Sequence, residues 1–274
     1  MVDMNSLLDE VCIIARQAGY VSMQYYQDFV KPMYKVDDSP VTDADIKANQ
    51  HIVQALQQLT PDIPIVSEEG KLDHIPKTTQ SFWLVDPLDG TKDFLEHNDE
   101  FTVNIALISD ARPVLGVVYA PALATLYYGT VGHNAWKQVG DRQPQLINNA
   151  GRKRLLPGVV VSRHHLDADT KIWLQAADSR QIRAVGSSLK LCYLADGTAD
   201  LYPRLSPLMQ WDIAAADAIL QISGGAIVQC KDGQQPVYLP GQLKQTPFIA
   251  VGCQVNRPRS LNAYRSYLAL LQVQ

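Results

Sequence analysis

Apolar positions recur at helical spacing over residues 6–27, where Leu8, Cys12, Ala15, Ala18 and Tyr25 share a face and Ser6 is placed as a cap. The spacing predicts a second helix that starts after Thr42, turns Ile46, Ile52, Val53, Leu56 and Leu59 inward, and stops at Pro61. Between them "YKVDDSPVT" reads as a loop or short hairpin. Two short apolar runs follow, "IPIV" (63–66) and "FWLV" (82–85), suited to buried strands and each leading into acidic residues. The polar "GKLDHIPKTTQ" connects them and is placed to lie over a pocket.

From Phe101 to Lys137 the pattern changes to strand after strand: "FTVNIALI", "VLGVVYA", "TLYYGTV" and "NAWKQ". The turns "SDARP", "APALA" and "VGH" separate them, which predicts an antiparallel meander. A polar stretch over 140–157 reads as a seam between two halves, 1–150 and 151–274. Beyond it come a strand "GVVVS", a helix near 167–177, the segment "SSLKLCYLA", a strand "DLYPRL", and a helix "DIAAADAILQISGG" closed by glycine. The tail "RPRSLNAYRSYLALLQVQ" has amphipathic helix character. The class is mixed α and β, with layered sheets covered by helices.

Charge and composition narrow this. A formal net charge of -4 over 274 residues argues against a broad nucleic-acid surface, while leaving room for a local basic pocket. The four cysteines are scattered, as free thiols in a reducing compartment would be. The acidic start "MVDMNSLLDE" lacks a signal peptide's basic and apolar regions. "VLGVVYAPALATLYY" contains Pro121 and is too short to span a bilayer. A soluble cytoplasmic protein is the expectation.

The candidate chemistry lies in "WLVDPLDGTKDF" (83–94). Pro87 favours the second position of a turn that ends at Asp89, which would aim Asp86, Asp89 and the Leu88 carbonyl at one point. Gly90 permits close backbone approach, and exposed N–H groups near Thr91 attract phosphate oxygens. All-oxygen ligation suits Mg2+. A polar turn at a strand end would look the same. Glu68, at the end of "IPIVSEE", would lie beside Asp86 if the two strands were parallel, whereas Glu69 reads equally as a solvated loop acid. Asp212 reads as a helix N-cap or as a further ligand.

"SEE", "DPLDGT" and "WDIAAADAI" together resemble, in order, the three signatures of the magnesium-dependent, lithium-sensitive inositol monophosphatase superfamily. The likeness runs from about residue 6 to 250. "SPVTDADIKAN", "FTVNIALI", "LGVVYAP" and "GSSLK" resemble its branch of 3'(2'),5'-bisphosphate nucleotidases. The resemblance implies an αβαβα five-layer sandwich, with most metal ligands in the first half. It implies that Glu68, Asp86 and the Leu88 carbonyl bind one Mg2+, that Asp86, Asp89 and Asp212 hold a second, and that a looser third ion sits near Glu68 and Glu69. Li+ is expected to inhibit. Thr91 and Asp45 are the candidates for orienting and deprotonating water, with Glu68 beside them.

Substrate contacts implied by the resemblance are Asp89, Gly90, Thr91 and Asp212 for the phosphate, and His165, Ser187, Lys190 and Arg204 for the nucleotide. Arg163 and His164 in "SRHH" add two more basic residues. Lys190 and Arg204 read equally as solvated surface charge. The implied reaction is hydrolysis of 3'-phosphoadenosine 5'-phosphate to AMP, with the sulfated analogue as a second substrate. The alternatives are a sister phosphatase for inositol phosphates or fructose 1,6-bisphosphate, and an inactive metal- or phosphate-binding regulator. Loose peripheral association with the inner face of the inner membrane is compatible with all three.

Overall fold

A computed structural model of the chain describes residues 3–26, 32–35, 40–70, 76, 78–149, 158–177 and 181–253. The first helix is α1 (Met4–Tyr26), with Leu7, Leu8, Val11, Ala15 and Ala18 buried. It starts before Ser6, and the Asp3 carboxylate accepts the backbone N–H groups of Asn5 and Ser6, each at 3.3 Å, so Asp3 takes the capping role expected of Ser6. β1 (Met33–Tyr34) and β2 (Pro40–Val41) form a small antiparallel ribbon. α2 (Asp43–Leu59) begins after Thr42 as predicted.

β3 (Ile65–Ser67) runs parallel to β4 (Ser81–Asp89), and a single helical turn and a half, α3 (Thr91–Leu95), follows. The meander is present as β5 (Thr102–Ser109), β6 (Arg112–Ala120), β7 (Thr125–Thr130) and β8 (Ala135–Val139). β9 (Gln145–Ile147) extends it into the stretch read as a seam. These strands make a seven-stranded sheet in the order β3-β4-β5-β6-β7-β8-β9.

The second half supplies β10 (Gly158–Ser162), α4 (Ala168–Ala176), β11 (Gln181–Val185), α5 (Leu189–Ala195) and β12 (Leu201–Arg204). It continues with β13 (Leu208–Met209), α6 (Ala214–Ile222), β14 (Ala226–Gln229), β15 (Lys244–Gln245) and β16 (Phe248–Val251). A five-stranded sheet has the order β11-β10-β12-β16-β14, and β13 pairs with β15 apart from it. α6 ends as its glycines predict. Gly224 takes φ +99°, and Gly225 N–H reaches back to the Leu220 carbonyl at 2.9 Å. The tail over 257–274 and the chain at 150–157 lie outside the described residues.

Side-chain alternation along the strands builds the layers. Trp83 and Val85 of β4 join Val103, Ile105 and Val117 beneath α1 and α2. Phe82 and Leu84 face the other way, onto α5 and α6, which also meet Val160, Tyr202, Ile227 and Phe248 of the second sheet. Trp173 and Leu174 of α4 cover that sheet's outer face at Val159, Val161 and Ile249. The result is helix, sheet, helix, sheet, helix: the αβαβα sandwich. Strands buried on both faces read as unbroken apolar runs, which is why "FWLV" shows no alternation.

The middle helices lie tight on the large sheet. A Cβ added at Gly116 in β6 would stand 2.1 Å from the Ala215 carbonyl oxygen and 2.9 Å from Ala218 Cβ. Gly116→Ala is therefore expected to destabilise the protein by about 3 kcal/mol, at the upper end of core overpacking. Urea unfolding checks this, and an unchanged midpoint would show that α6 is free to shift.

Candidate active site

The end of β4 is not the turn that its sequence predicts. The strand runs on through Pro87 and Leu88, pairing Asp86 with Asn104 and Asp89 with Thr102 of β5. Three steps on β4 thus oppose two on β5, a bulge of one extra residue. In a regular strand, residues three apart face opposite sides. The extra residue restores the phase, so both aspartates line one cavity. Proline suits this place because a bulge leaves an N–H out of the ladder. The Asp86 carboxylate accepts the Leu88 N–H at 3.1 Å, which locks the bulge from within.

Parallel pairing of β3 with β4 brings Glu68 to the same edge, where its N–H bonds the Val85 carbonyl at 3.1 Å. Asp212 arrives from the start of the α6 segment. It does not cap that helix, and its carboxylate instead accepts the Met209 N–H at 2.9 Å. Carboxylate oxygens of Glu68, Asp86 and Asp212 lie within 4.8 Å of one another. Burial pushes the Asp86 carboxyl well above its ordinary range, and Glu68, Asp89 and Asp212 push it further. Asp212 is raised in the same way, by burial and then by Asp89 and Glu68. Asp89 is pushed up to about 6 by burial, against the opposing charge of Lys190. Oxygen donors held together against their own repulsion fit a hard divalent cation.

One cation at this edge had no signal in the sequence. Lys35 Nζ lies 2.8 Å from Glu68 Oε1 and 2.6 Å from Glu69 Oε1. It follows the two-residue strand β1, too short for any periodicity to flag. Glu69 is thereby turned to Lys35 and is not among the residues lining the cavity.

Beside the cluster, Gly90 takes φ +91°, a left-handed conformation that disfavours side chains and lets α3 start immediately. Thr91 Oγ1 donates to Asp45 Oδ1 at 3.2 Å, with the Leu88 carbonyl oxygen 3.5 Å away. Asp45 is 2% exposed. Its second oxygen accepts the Thr42 N–H at 2.8 Å and the Thr42 hydroxyl at 2.5 Å. Asp45 thus stabilises the helix start with one oxygen and meets Thr91 with the other. Burial pushes its carboxyl up to about 6, with Glu69 adding to the rise.

The cavity is about 740 Å³, large enough for a nucleotide. His165, Ser187, Lys190 and Arg204 line it together with Glu68, Asp86, Asp89, Thr91 and Asp212. Lys190 is not surface charge. It is 6% exposed, and Nζ donates to the carbonyls of Ser187 (2.5 Å) and Val185 (3.3 Å) while lying 5.4 Å from the Tyr202 ring centroid. Burial lowers its pKa to about 8. Arg204 Nε bonds the Ser206 carbonyl at 3.2 Å. His165 stands on the rim. Partial burial, then Arg204 and Lys92, lower its imidazole to about 4, so at neutral pH it offers a hydrogen bond rather than a charge.

Arg163 does not line the cavity but binds Glu100 and Asp93, and His164 Nε2 sits 3.1 Å from Asp93 Oδ1. The sequence offers Ser188, in "GSSLK", to the nucleotide, but gives Asn104 no place in the site. Asn104 Nδ2 approaches Asp89 Oδ2 at 3.4 Å, and Ser188 Oγ donates to Asn104 Oδ1 at 2.7 Å. A lone asparagine inside the apolar "FTVNIALI" was the available signal.

This metal-ready cavity at a strand edge, between two helix-covered sheets, has a known class. The chain belongs to the inositol monophosphatase family, whose profile matches residues 3–263. The 3'(2'),5'-bisphosphate nucleotidase CysQ of Salmonella typhimurium is 47% identical over 249 residues, covering 89% of this chain and 99% of its own. The crystal structure of CysQ from Bacteroides thetaiotaomicron, 34% identical, superposes with a TM-score of 0.77 over 90% of this chain and 97% of its own. The Thermotoga maritima IMPase shares the fold at 24% identity, with a TM-score of 0.80 over 97% of this chain and 99% of its own.

The raised carboxyl groups fix the sign of a pH effect. An acid whose folded pKa is raised binds its proton more tightly when folded, so its contribution is complete below the unfolded value near 3.8 and is lost as pH rises through about 6. In EDTA, Tm is expected to rise as pH falls from 7.5 to 5.5, and Asp86→Asn to raise Tm at pH 7.5. Saturating Mg2+ should stabilise the native protein and leave Asp86→Asn unmoved. A calorimetric scan showing Tm falling with pH in EDTA would contradict the strained cluster.

Proposed function

We propose that the chain is a Mg2+-dependent 3'(2'),5'-bisphosphate nucleotidase that hydrolyses 3'-phosphoadenosine 5'-phosphate to AMP and phosphate, with the sulfated analogue as a second substrate. The observation that carries this reading is the 47% identity over 99% of the Salmonella typhimurium nucleotidase. Glu68, Asp86, the Leu88 carbonyl, Asp89 and Asp212 would hold two ions, and Glu69 a looser third that Lys35 now contests. Bound Mg2+ supplies positive charge to the phosphoryl oxygens and acidifies water.

The chain's own groups do the rest. Thr91 Oγ1, already donating to Asp45, presents its lone pairs to the attacking water and aims it at the 3'-phosphorus. Asp45, poised at about 6, takes the water's proton through that hydroxyl. The bond from phosphorus to the ribose oxygen breaks, that oxygen takes a proton from solvent water as AMP leaves, and Asp45 returns its proton to solvent. The N–H groups at Gly90 and Thr91 receive phosphate oxygens. Lys190, Ser187, Arg204 and neutral His165 receive the remainder of the nucleotide. Most of these metal ligands would come from residues 1–150, and Asp212 with the recognition residues from 151–274. A cytoplasmic location belongs to the same reading, with any membrane contact peripheral; among the described residues no helix is long and apolar enough to cross a bilayer.

Phosphate release from 3',5'-ADP, inositol 1-phosphate and fructose 1,6-bisphosphate with Mg2+ tests the substrate. The nucleotide is expected to turn over fastest and millimolar Li+ to suppress it, whereas preference for inositol 1-phosphate would overturn the reading. Turnover of none of the three would favour a regulator. Thr91→Val should lower kcat by about 10²–10⁴-fold, the usual reach of proton-transfer catalysis, with the circular-dichroism spectrum unchanged.

A further inference from the structure

The turn that carries Ser187 and Ser188 is tied to the metal-binding edge by a residue outside the signatures. Glu100 precedes β5 and is 8% exposed. Its Oε2 accepts the Gly186 N–H at 2.7 Å and pairs with Arg163 Nη2 at 2.5 Å. Arg163 Nε reaches Asp93 Oδ1 at 3.3 Å, and Asn98 Nδ2 donates to the same oxygen at 2.6 Å. The backbone of Glu100 is equally committed. A Cβ at Gly186 would stand 2.5 Å from the Glu100 carbonyl oxygen, and one at Gly90 would stand 3.3 Å from it. Glu100 therefore lies between the glycine of D-G-T and the glycine of G-S-S.

What Glu100 holds is strained. Ser187 adopts φ +46°, a left-handed conformation uncommon outside glycine, and persists because its surroundings over-determine it. Lys190 grips the Ser187 carbonyl from one side and Thr102 and Asn104 bind the Ser188 hydroxyl from another. Asp89 accepts a backbone hydrogen bond from Ser188, and Glu100 supplies a further anchor, at Gly186. We propose that Glu100, clasped by Arg163, is a positioning residue that fixes the 186–188 turn against the Asp89–Gly90 edge, and so sets the spacing between the reacting phosphate and the rest of the nucleotide. This deepens the nucleotidase reading and rests on it for the substrate. A charge-assisted bond to a backbone N–H is strong and geometrically exacting, and a misplacement of about 1 Å in a binding turn can lose about a hundredfold in rate.

Hydrogen exchange and steady-state kinetics on the full chain test it. In Glu100→Ala, peptides containing Gly186 should exchange about ten-fold faster while those from β5 and β6 keep their protection. KM for 3',5'-ADP should rise about ten-fold, with kcat changed by less than about three-fold. Glu100→Gln, whose amide oxygen still accepts the Gly186 N–H, should recover most of both. Unchanged exchange and KM in Glu100→Ala would overturn the proposal. So would equal loss of protection throughout the sheet with no recovery in Glu100→Gln, which is the signature of a purely structural residue. If the native protein leaves 3',5'-ADP intact, the nucleotidase reading fails, while the exchange comparison still decides the clasp.

Discussion

Repulsion among carboxylates is the constraint around which the molecule is arranged. Glu68, Asp86 and Asp212 come from three separate segments and meet within 4.8 Å, with Asp89 beside them. Left to themselves such groups separate or take up protons. Here the parallel pairing of β3 with β4 holds one, the bulge in β4 holds two, and the segment entering α6 holds the last. The sandwich supplies the rigidity this requires, because α6 is packed so closely on β6 that Gly116 leaves no room for a methyl group. The carboxyl groups crowded at the strand edge cost stability, and the proposed return is affinity toward a cation, as functional sites commonly require.

The same edge explains how a site with an acidic floor can receive a polyanionic ligand. Cations are held back from the carboxylates by other duties. Lys190 is bound to backbone carbonyls and Arg204 to the Ser206 carbonyl. Their charge is present at the cavity wall without collapsing onto the cluster. Lys35 is the exception, since it bridges Glu68 and Glu69 directly. The proposed contest at Glu69 between lysine and a third ion follows from that position.

Much of this was legible in the chain because the strong signals were local and periodic. α2 begins after Thr42, the meander runs as its alternating segments indicate, and Glu68 stands beside Asp86 because two apolar runs end at one edge. Where the expectation departed from the structure, long-range pairing decided. "DPLDG" has the composition of a turn, but β5 keeps it in register and turns it into a bulge. Ser6 yields its capping role to Asp3, whose carboxylate reaches the first-turn amides. Lys190 reads in sequence equally as a nucleotide contact or as surface charge, and it is buried at the cavity because α5 lies between the sheets. His165 was grouped with cations, yet partial burial and its charged neighbours keep it neutral. Glu100 and Lys35 carry no pattern at all, for their partners lie 86 and about 34 positions away, at distances that no local spacing encodes.

The bulged end of β4 is proposed to build a divalent-cation site with Glu68 and Asp212. Anomalous diffraction from crystals soaked in Mn2+, which prefers the same oxygen donors as Mg2+, tests it most directly. A peak is expected within coordination distance of Asp86 and of at least one of Glu68, Asp89 and Asp212, absent from crystals of Asp86→Asn. Peaks confined to other acidic residues, or a peak that persists in Asp86→Asn, would contradict it.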